Sequence, residues 1–380
     1  SGDVHRAEFR MLPGAVGGYS PIELTSSPMA NSNRLCTTDN ETFDCFDNGD
    51  FFIMVDVDTT LPDPTLLATI HDVDGVVLAE LEVKRSDLEI PSVAAVADSS
   101  TDFDGDGYSD LAVGIRGEDF DKVGDAGVVA ALYGSTAGLK SFDTQAWNQN
   151  SGVITGIPED NDYFGSALAM DDFDNDGFAD LAIGSPGESI GKIPDAGMVN
   201  VIYGSIDGLS DGGNQGWYQD KSGINGMCES GDLYGSALGT ADFDGNGYAD
   251  LAVGIPGEAI GYVGDAGAVS VIYGTATGLD STNDQLWDQD LIGETAETGD
   301  AAGHSVVGAD FDGDGYDDLV LGAPGEGVSA VDDAGMVHVL YGTAYGLDSA
   351  GADNWSQDSP GVSGMCELGD LFGSSLAAGD

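Results

Sequence analysis

A nine-residue stretch, DFDGDGYSD, occupies Asp102 to Asp110 and returns three times: DFDNDGFAD from Asp172, DFDGNGYAD from Asp242 and DFDGDGYDD from Asp310. The steps are 70, 70 and 68 residues, and Asp380, 70 further on, closes GSSLAAGD, which is how a fifth copy would begin. Self-similarity at a fixed period constrains the fold more than any single motif. Each unit is one supersecondary element that buries its apolar faces only by stacking on its neighbours.

One unit, Phe164 to Asp220, shows what is repeated. FGSALAM alternates and reads as a strand, and DFDNDGFAD is an acidic loop. LAIGSPGE is a second strand ending in a Gly/Pro turn, GMVNVIYG a third, SIDGL its turn, and WYQD a short fourth strand. No helical period interrupts them. An all-β chain with four strands per repeat predicts four-stranded antiparallel blades, and blades that must cover both faces close radially into a β-propeller. The expected blades run at about 92–150, 163–220, 233–290 and 303–358, with an opening strand at 371–380. Trp147, Trp217, Trp287 and Trp355 keep this register, each followed two residues later by Gln149, Gln219, Gln289 or Gln357. A Trp repeated at one strand position is expected to pack between blades.

Residues 1–91 lack the repeat and read as a small β-rich module. FFIMVDV (51–57), TLLATIH (65–71) and VVLAELEV (76–83) are its strands, DVDG (72–75) a hairpin turn, and the first 50 residues loop-rich. The domain expectation is therefore 1–91 followed by 92–380. The chain opens on Ser rather than Met, the expectation for a processed chain.

Why the acidic loops crowd negative charge into a chain already at −58 is a question about cations. Calcium takes six to eight oxygen ligands, and side chains at positions 1, 3 and 5 of a tight loop converge on one point. Gly at position 6 permits the turn, the position 7 carbonyl points inward, and a carboxylate at position 9 closes the cage. The candidate ligands are Asp102, Asp104, Asp106, Tyr108 and Asp110; Asp172, Asp174, Asp176, Phe178 and Asp180; Asp242, Asp244, Asn246, Tyr248 and Asp250; and Asp310, Asp312, Asp314, Tyr316 and Asp318. The expected cofactor is Ca²⁺ at about four sites. An EF-hand is excluded: position 12 is Val113, Ile183, Val253 or Leu321 rather than Glu, and no helices flank the loops. Magnesium, which favours octahedral sites that keep several waters, fits less well.

These residues resemble FG-GAP repeats, as found in integrin α-subunit propellers and many bacterial surface proteins. The resemblance rests on Phe164-Gly165, Phe372-Gly373 and the variant Tyr234-Gly235, on the acidic loop, and on G-x-P at Gly184-Ser185-Pro186, Gly254-Ile255-Pro256 and Gly322-Ala323-Pro324. It covers about residues 92–380 and implies a propeller, usually seven-bladed, with calcium in hairpin loops on one rim. The first repeat departs with Gly114-Ile115-Arg116 and no FG, the fourth with Gly303-His304. Four repeats and one opening strand are fewer than seven blades.

Composition narrows the partners. Ten basic residues against 68 acidic exclude a nucleic-acid surface, which needs Lys and Arg at phosphates, and disfavour anionic membranes. No apolar run reaches the ~18 residues of a membrane span. Such acidity suits saline or calcium-rich surroundings, where ions screen self-repulsion. Cys36 and Cys45 are spaced for a short-loop disulfide, pointing to an oxidising compartment. Cys228 and Cys366 recur in GMCESGDLYGS and GMCELGDLFGS, as free thiols or as links to another chain. Asn40-Glu41-Thr42 and Asn354-Trp355-Ser356 are glycosylation sequons.

Catalysis finds little support. Gly187-Glu188-Ser189-Ile190-Gly191 matches a nucleophile elbow, but the equivalent segments GEAIG (257–261) and GEGVS (325–329) lack the Ser. His5, His71, His304 and His338 have no metal-ligand spacing, and Arg116-Gly117-Glu118 only approximates a cell-attachment tripeptide. The leading reading is a non-catalytic, calcium-binding, extracellular or cell-surface propeller acting in adhesion or ligand recognition. Its partners would be a protein or glycan on the cell surface or matrix. The alternatives are a subunit of an extracellular filament or surface layer, self-assembling through Cys228 and Cys366, and a scaffold or targeting part of a secreted hydrolase.

Overall fold

The computed structural model describes residues 99–379 throughout and, before them, the backbone of six strands. The chain divides into two compact units, Ser1–Val96 and Ala97–Gly379. In the first, β1 (Arg6–Met11), β2 (Ile22–Ser27) and β3 (Thr42–Phe46) form an antiparallel sheet in the order β2-β1-β3. β4 (Phe51–Asp58), β5 (Thr65–Asp72) and β6 (Val77–Lys84) form a meander. The second sheet lies where the sequence places it. The first sheet corrects the loop-rich reading: its strands are five or six residues of mixed polarity, too short for alternation to stand out. Cys36, the side chain of Cys45, and Asn40 lie outside the described residues, as does most of the DVDG turn.

The second unit is all-β, with a single 3-10 turn, Ser99–Thr101, among its described residues. The first blade holds β7 (Leu111–Ile115), β8 (Val128–Leu132) and β9 (Gln145–Trp147). The second holds β10 (Leu168–Asp171), β11 (Asp180–Ser185), β12 (Met198–Tyr203) and β13 (Ser210–Trp217). The third holds β14 (Ala237–Ala241), β15 (Asp250–Ile255), β16 (Ala268–Tyr273) and β17 (Asp280–Trp287). The fourth holds β18 (Ser305–Ala309), β19 (Asp318–Ala323), β20 (Met336–Tyr341) and β21 (Asp348–Trp355). Each blade is an antiparallel meander in chain order, the architecture of β-propeller blades, and the leading strands β10, β14 and β18 pack against one another in succession. In the first blade the leading-strand position falls on residues before Ser99, outside the described ones.

The fourth strand is the main correction within the repeat. It runs Ser210–Trp217 and ends, rather than begins, at the Trp. SDGGNQGW is rich in Gly and polar residues because this outer strand is largely solvated, so its composition does not advertise a strand. The middle strands β11, β15 and β19 are buried along their whole length, as near-continuous apolar runs allow.

Apolar cores lie between successive blades. One joins Val129, Ala131 and Ile154 to Leu181 and Ile183; the next joins Val199 and Val201 to Leu251 and Val253; the third joins Val269 and Val271 to Leu319 and Leu321. Trp147, Trp217 and Trp287 pack in these cores as expected, whereas Trp355 of the fourth blade is exposed. The FG and G-x-P motifs meet at each boundary. Within each repeat Gly165 N donates to Gly184 O (3.0 Å) and Gly235 N to Gly254 O (3.1 Å), and the approach to the next blade is made by the G-x-P glycine itself. A Cβ on Gly184 would lie 2.1 Å from Gly235 O, so only glycine admits the next blade's backbone there. Where the first repeat replaces Pro by Arg116, the guanidinium sits 5.7 Å above the Tyr163 ring.

Candidate metal centres

In the second, third and fourth blades the acidic loop joins the first strand to the second, and in the first blade it leads from the Ser99–Thr101 turn into β7. The Phe at its second position anchors it: Phe103, Phe173 and Phe243 are fully buried in the inter-blade cores, while Phe311 of the last blade is exposed. Burying such a ring contributes about 1.5–3 kcal/mol, which fixes the loop on the blade edge. Gly107, Gly177, Gly247 and Gly315 at position 6 all have positive φ, between 86° and 94°, the turn expected of them.

The loop backbone folds around the position 1 carboxylate. Asp172 accepts from Asp176 N (3.0 Å) and Gly177 N (2.9 Å), as Asp242 accepts from Asn246 N (2.9 Å) and Gly247 N (2.8 Å). The position 9 carboxylate ties the loop to the blade. Asp180 accepts from Phe173 N (3.0 Å) and from Gly204 N, past the third strand (2.8 Å); Asp110, Asp250 and Asp318 make the same pair of bonds.

Three carboxylates converge in every loop. One oxygen from each of Asp102, Asp104 and Asp110 lies within 4.8 Å of the others, and so do those of Asp172, Asp174 and Asp180, of Asp242, Asp244 and Asp250, and of Asp310, Asp312 and Asp318. Asp106, Asp176, Asn246 and Asp314 at position 5 stand outside these trios. Their side-chain oxygens accept the N–H of Tyr108 (3.1 Å), Phe178 (3.0 Å), Tyr248 (2.8 Å) and Tyr316 (3.0 Å). Position 5 therefore closes the turn, a role Asn fills as well as Asp.

Charge makes the trios costly without a counter-ion. Burial pushes the Asp180 and Asp250 carboxyls up to about 8 and Asp110 up to about 6. Asp174 is raised by burial and then by Asp176 and Asp172, and its Oδ1 is buried with no hydrogen-bond partner. An oxygen-only donor set with an orphaned, solvent-excluded carboxylate oxygen fits a hard divalent cation. Among the described residues, Lys140 alone forms salt bridges to these loops: its Nζ lies 3.3 Å from Asp106 Oδ2 and 3.9 Å from Asp104 Oδ2.

A second buried acidic set was not visible in the sequence. The Gln two residues after each of the first three Trp residues reaches the Glu of the following blade's P-G-E turn. Gln149 donates to Glu188, Gln219 to Glu258 (2.5 Å) and Gln289 to Glu326 (2.5 Å). Asp162, Asp232 and Asp300 stand beside Glu188, Glu258 and Glu326, and each accepts the N–H of the acid three residues before it, Glu159, Glu229 or Glu297. Only the in-register Trp-x-Gln hinted at it, because the partner lies 37–39 residues downstream.

Of the remaining candidates, Cys228 is a buried and Cys366 a half-buried free thiol. The Asn354 amide is engaged by Glu294 Oε1 (2.7 Å) and His338 Nδ1 (2.8 Å), which removes it as an open glycosylation acceptor. No helix among the described residues is long and apolar enough to cross a membrane.

Residues 94–132, 164–202, 234–272 and 302–340 match the FG-GAP repeat, the last three segments each running from the leading strand through the acidic loop to the third strand. Over 161 residues the chain is 36% identical to phosphatidylinositol-glycan-specific phospholipase D of Rattus norvegicus, covering 42% of this chain and 18% of that protein. It is 31% identical over 171 residues to integrin alpha-PS5 of Drosophila melanogaster (43% and 15%) and 32% identical over 231 residues to integrin alpha-PS2 of the same organism (58% and 14%). The chain thus spans less than a fifth of the length of each of these relatives.

Proposed function

Because the chain carries four FG-GAP repeats built as β-propeller blades, we propose that it is a non-catalytic, calcium-binding recognition module of an extracellular or cell-surface protein, acting in adhesion. The observation that carries this is the fourfold recurrence, at one structural position, of three carboxylates within 4.8 Å. Positions 1, 3 and 9 would hold the ion, with the position 5 side chain and position 7 carbonyl completing the oxygen set. A bound calcium ion supplies the positive charge that offsets the converging carboxylates. Calcium is favoured over magnesium because an all-oxygen set of carboxylates and a backbone carbonyl suits its larger and less exacting coordination.

The protein's own residues make the loops matter to recognition. Position 9 ties each loop to its blade, so an ordered loop fixes the blade's rim, where a protein or glycan of the cell surface or matrix would dock. The surface location is supported by the acidity and by the integrin alpha relatives. The hydrolase-scaffold reading is favoured by one observation, the 36% identity to a phospholipase D. A phospholipase assay on this chain is expected to be negative, and turnover would favour that alternative. Assembly through thiols is the weaker option, since Cys228 is buried.

Calorimetry with millimolar calcium and then with excess chelator tests the core of the proposal. Ions bound to the folded state at a large excess over Kd each add about 4 kcal/mol, so chelation is expected to lower Tm by ~10 °C or more. An unchanged Tm overturns it.

A further inference from the structure

The four loops are alike in sequence but not in the charge that faces them. Lys140 follows the third strand of the first blade, and its N donates to Tyr133 O (2.7 Å). The residues paired in the same way with Tyr203, Tyr273 and Tyr341 are Ser210, Asp280 and Asp348. This position faces the acidic loop: Asp280 lines the same cavity as Asp244 and Asn246. In the first blade it presents an ammonium to Asp104 of the carboxylate trio and to Asp106. The other blades place no cation at this position: Ser210 Oγ accepts from Gly212 N (3.1 Å), Asp280 Oδ1 from Thr282 N (2.6 Å) and Asp348 Oδ1 from Ala350 N (2.9 Å).

We propose that Lys140 is an internal counter-ion that makes the first loop a low-affinity calcium site, set apart from three tight ones. The inference rests on the calcium reading above. Calcium entering the first loop must displace or repel an ammonium that already neutralises part of its ligand charge, and affinity in oxygen cages follows the charge of the ligand set. The first site would then fill last as calcium rises, and empty first as it falls.

Calcium titration of the whole chain, by calorimetry or equilibrium dialysis, tests this. The wild type is expected to bind three ions in a tight class and a fourth at least roughly tenfold more weakly. Lys140→Ser, which copies Ser210, should bring the fourth into the tight class, with a Tm in chelator no higher than the wild type's because the ion-free loop loses its counter-ion. Ser210→Lys should move a second ion into the weak class. Four equivalent sites in the wild type, or a Lys140→Ser titration that superposes on it, overturns the role of Lys140 and leaves the calcium reading standing. A wild type that takes up no calcium overturns both.

Discussion

Gln219 and Glu258 meet across the boundary between the second and third blades, the amide Nε2 donating to Oε2 at 2.5 Å in a buried site. Neighbouring acids face each such Glu: Asp162 and Glu159 face Glu188; Asp232, Glu229 and Asp288 face Glu258; Asp300 and Glu297 face Glu326. No cation is among the groups that shift them. A buried Glu facing other acids favours its protonated form.

Burial pushes Glu258 up to about 7 and Glu188 and Glu326 up to about 8. A raised carboxyl pKa means that the folded state holds the proton more tightly than the unfolded chain. Its stabilisation is full below the unfolded value near 4.5 and is lost as pH rises through 7 to 8. At saturating calcium, Tm should fall between pH 5 and pH 8.5. The triple variant Glu188→Gln, Glu258→Gln, Glu326→Gln should flatten that slope and exceed the wild type at pH 8.5, by on the order of 1–2 kcal/mol per junction. Calorimetry across this range decides; parallel curves would count against a proton held on these Glu side chains.

The two kinds of loop acid should separate by their dependence on calcium. Asp180→Ala removes acceptors from the N–H groups of Phe173 and Gly204, so it should cost about 2–4 kcal/mol even in chelator. Asp174→Ala breaks no such tie to the blade. It should lower stability only when calcium is present, as read by urea unfolding with and without chelator.

Blade stacking has its own latch. Tyr203 Oη accepts from Leu279 N of the next blade (3.2 Å) and donates to Gln215 (2.7 Å), whose Nε2 donates to Leu279 O (3.0 Å). Tyr203→Phe should cost about 1–3 kcal/mol in urea unfolding by leaving a buried N–H unpaired, without altering calcium stoichiometry.

Gly184→Ala places a methyl 2.1 Å from Gly235 O, against backbone that cannot yield. A loss of about 3 kcal/mol or more is expected, whereas Gly191→Ala, which meets no atom within 4 Å, should cost far less despite its positive φ. Equal Tm values for the two would contradict the close approach of the FG and G-x-P backbones.

What the sequence discloses follows from what is local. The period, the buried middle strands and the acidic loops are legible because their residues are contiguous and in register. The outer strand Ser210–Trp217 was misplaced because a solvated, glycine-rich strand carries little pattern. Position 5 reads as a ligand in DxDxDG, and the folded loop adds a second role that its spacing does not disclose: Asp176 Oδ1 accepts the N–H of Phe178. The link from Gln219 to Glu258 joins different blades, so no single repeat contains it.

A crystal structure at millimolar calcium tests the central claim most directly. Four ions are expected, one in each loop at ~2.3–2.6 Å from the oxygens of positions 1, 3 and 9, beginning with Asp172, Asp174 and Asp180. Density in those loops that refines only as water, or no density at all, would contradict it.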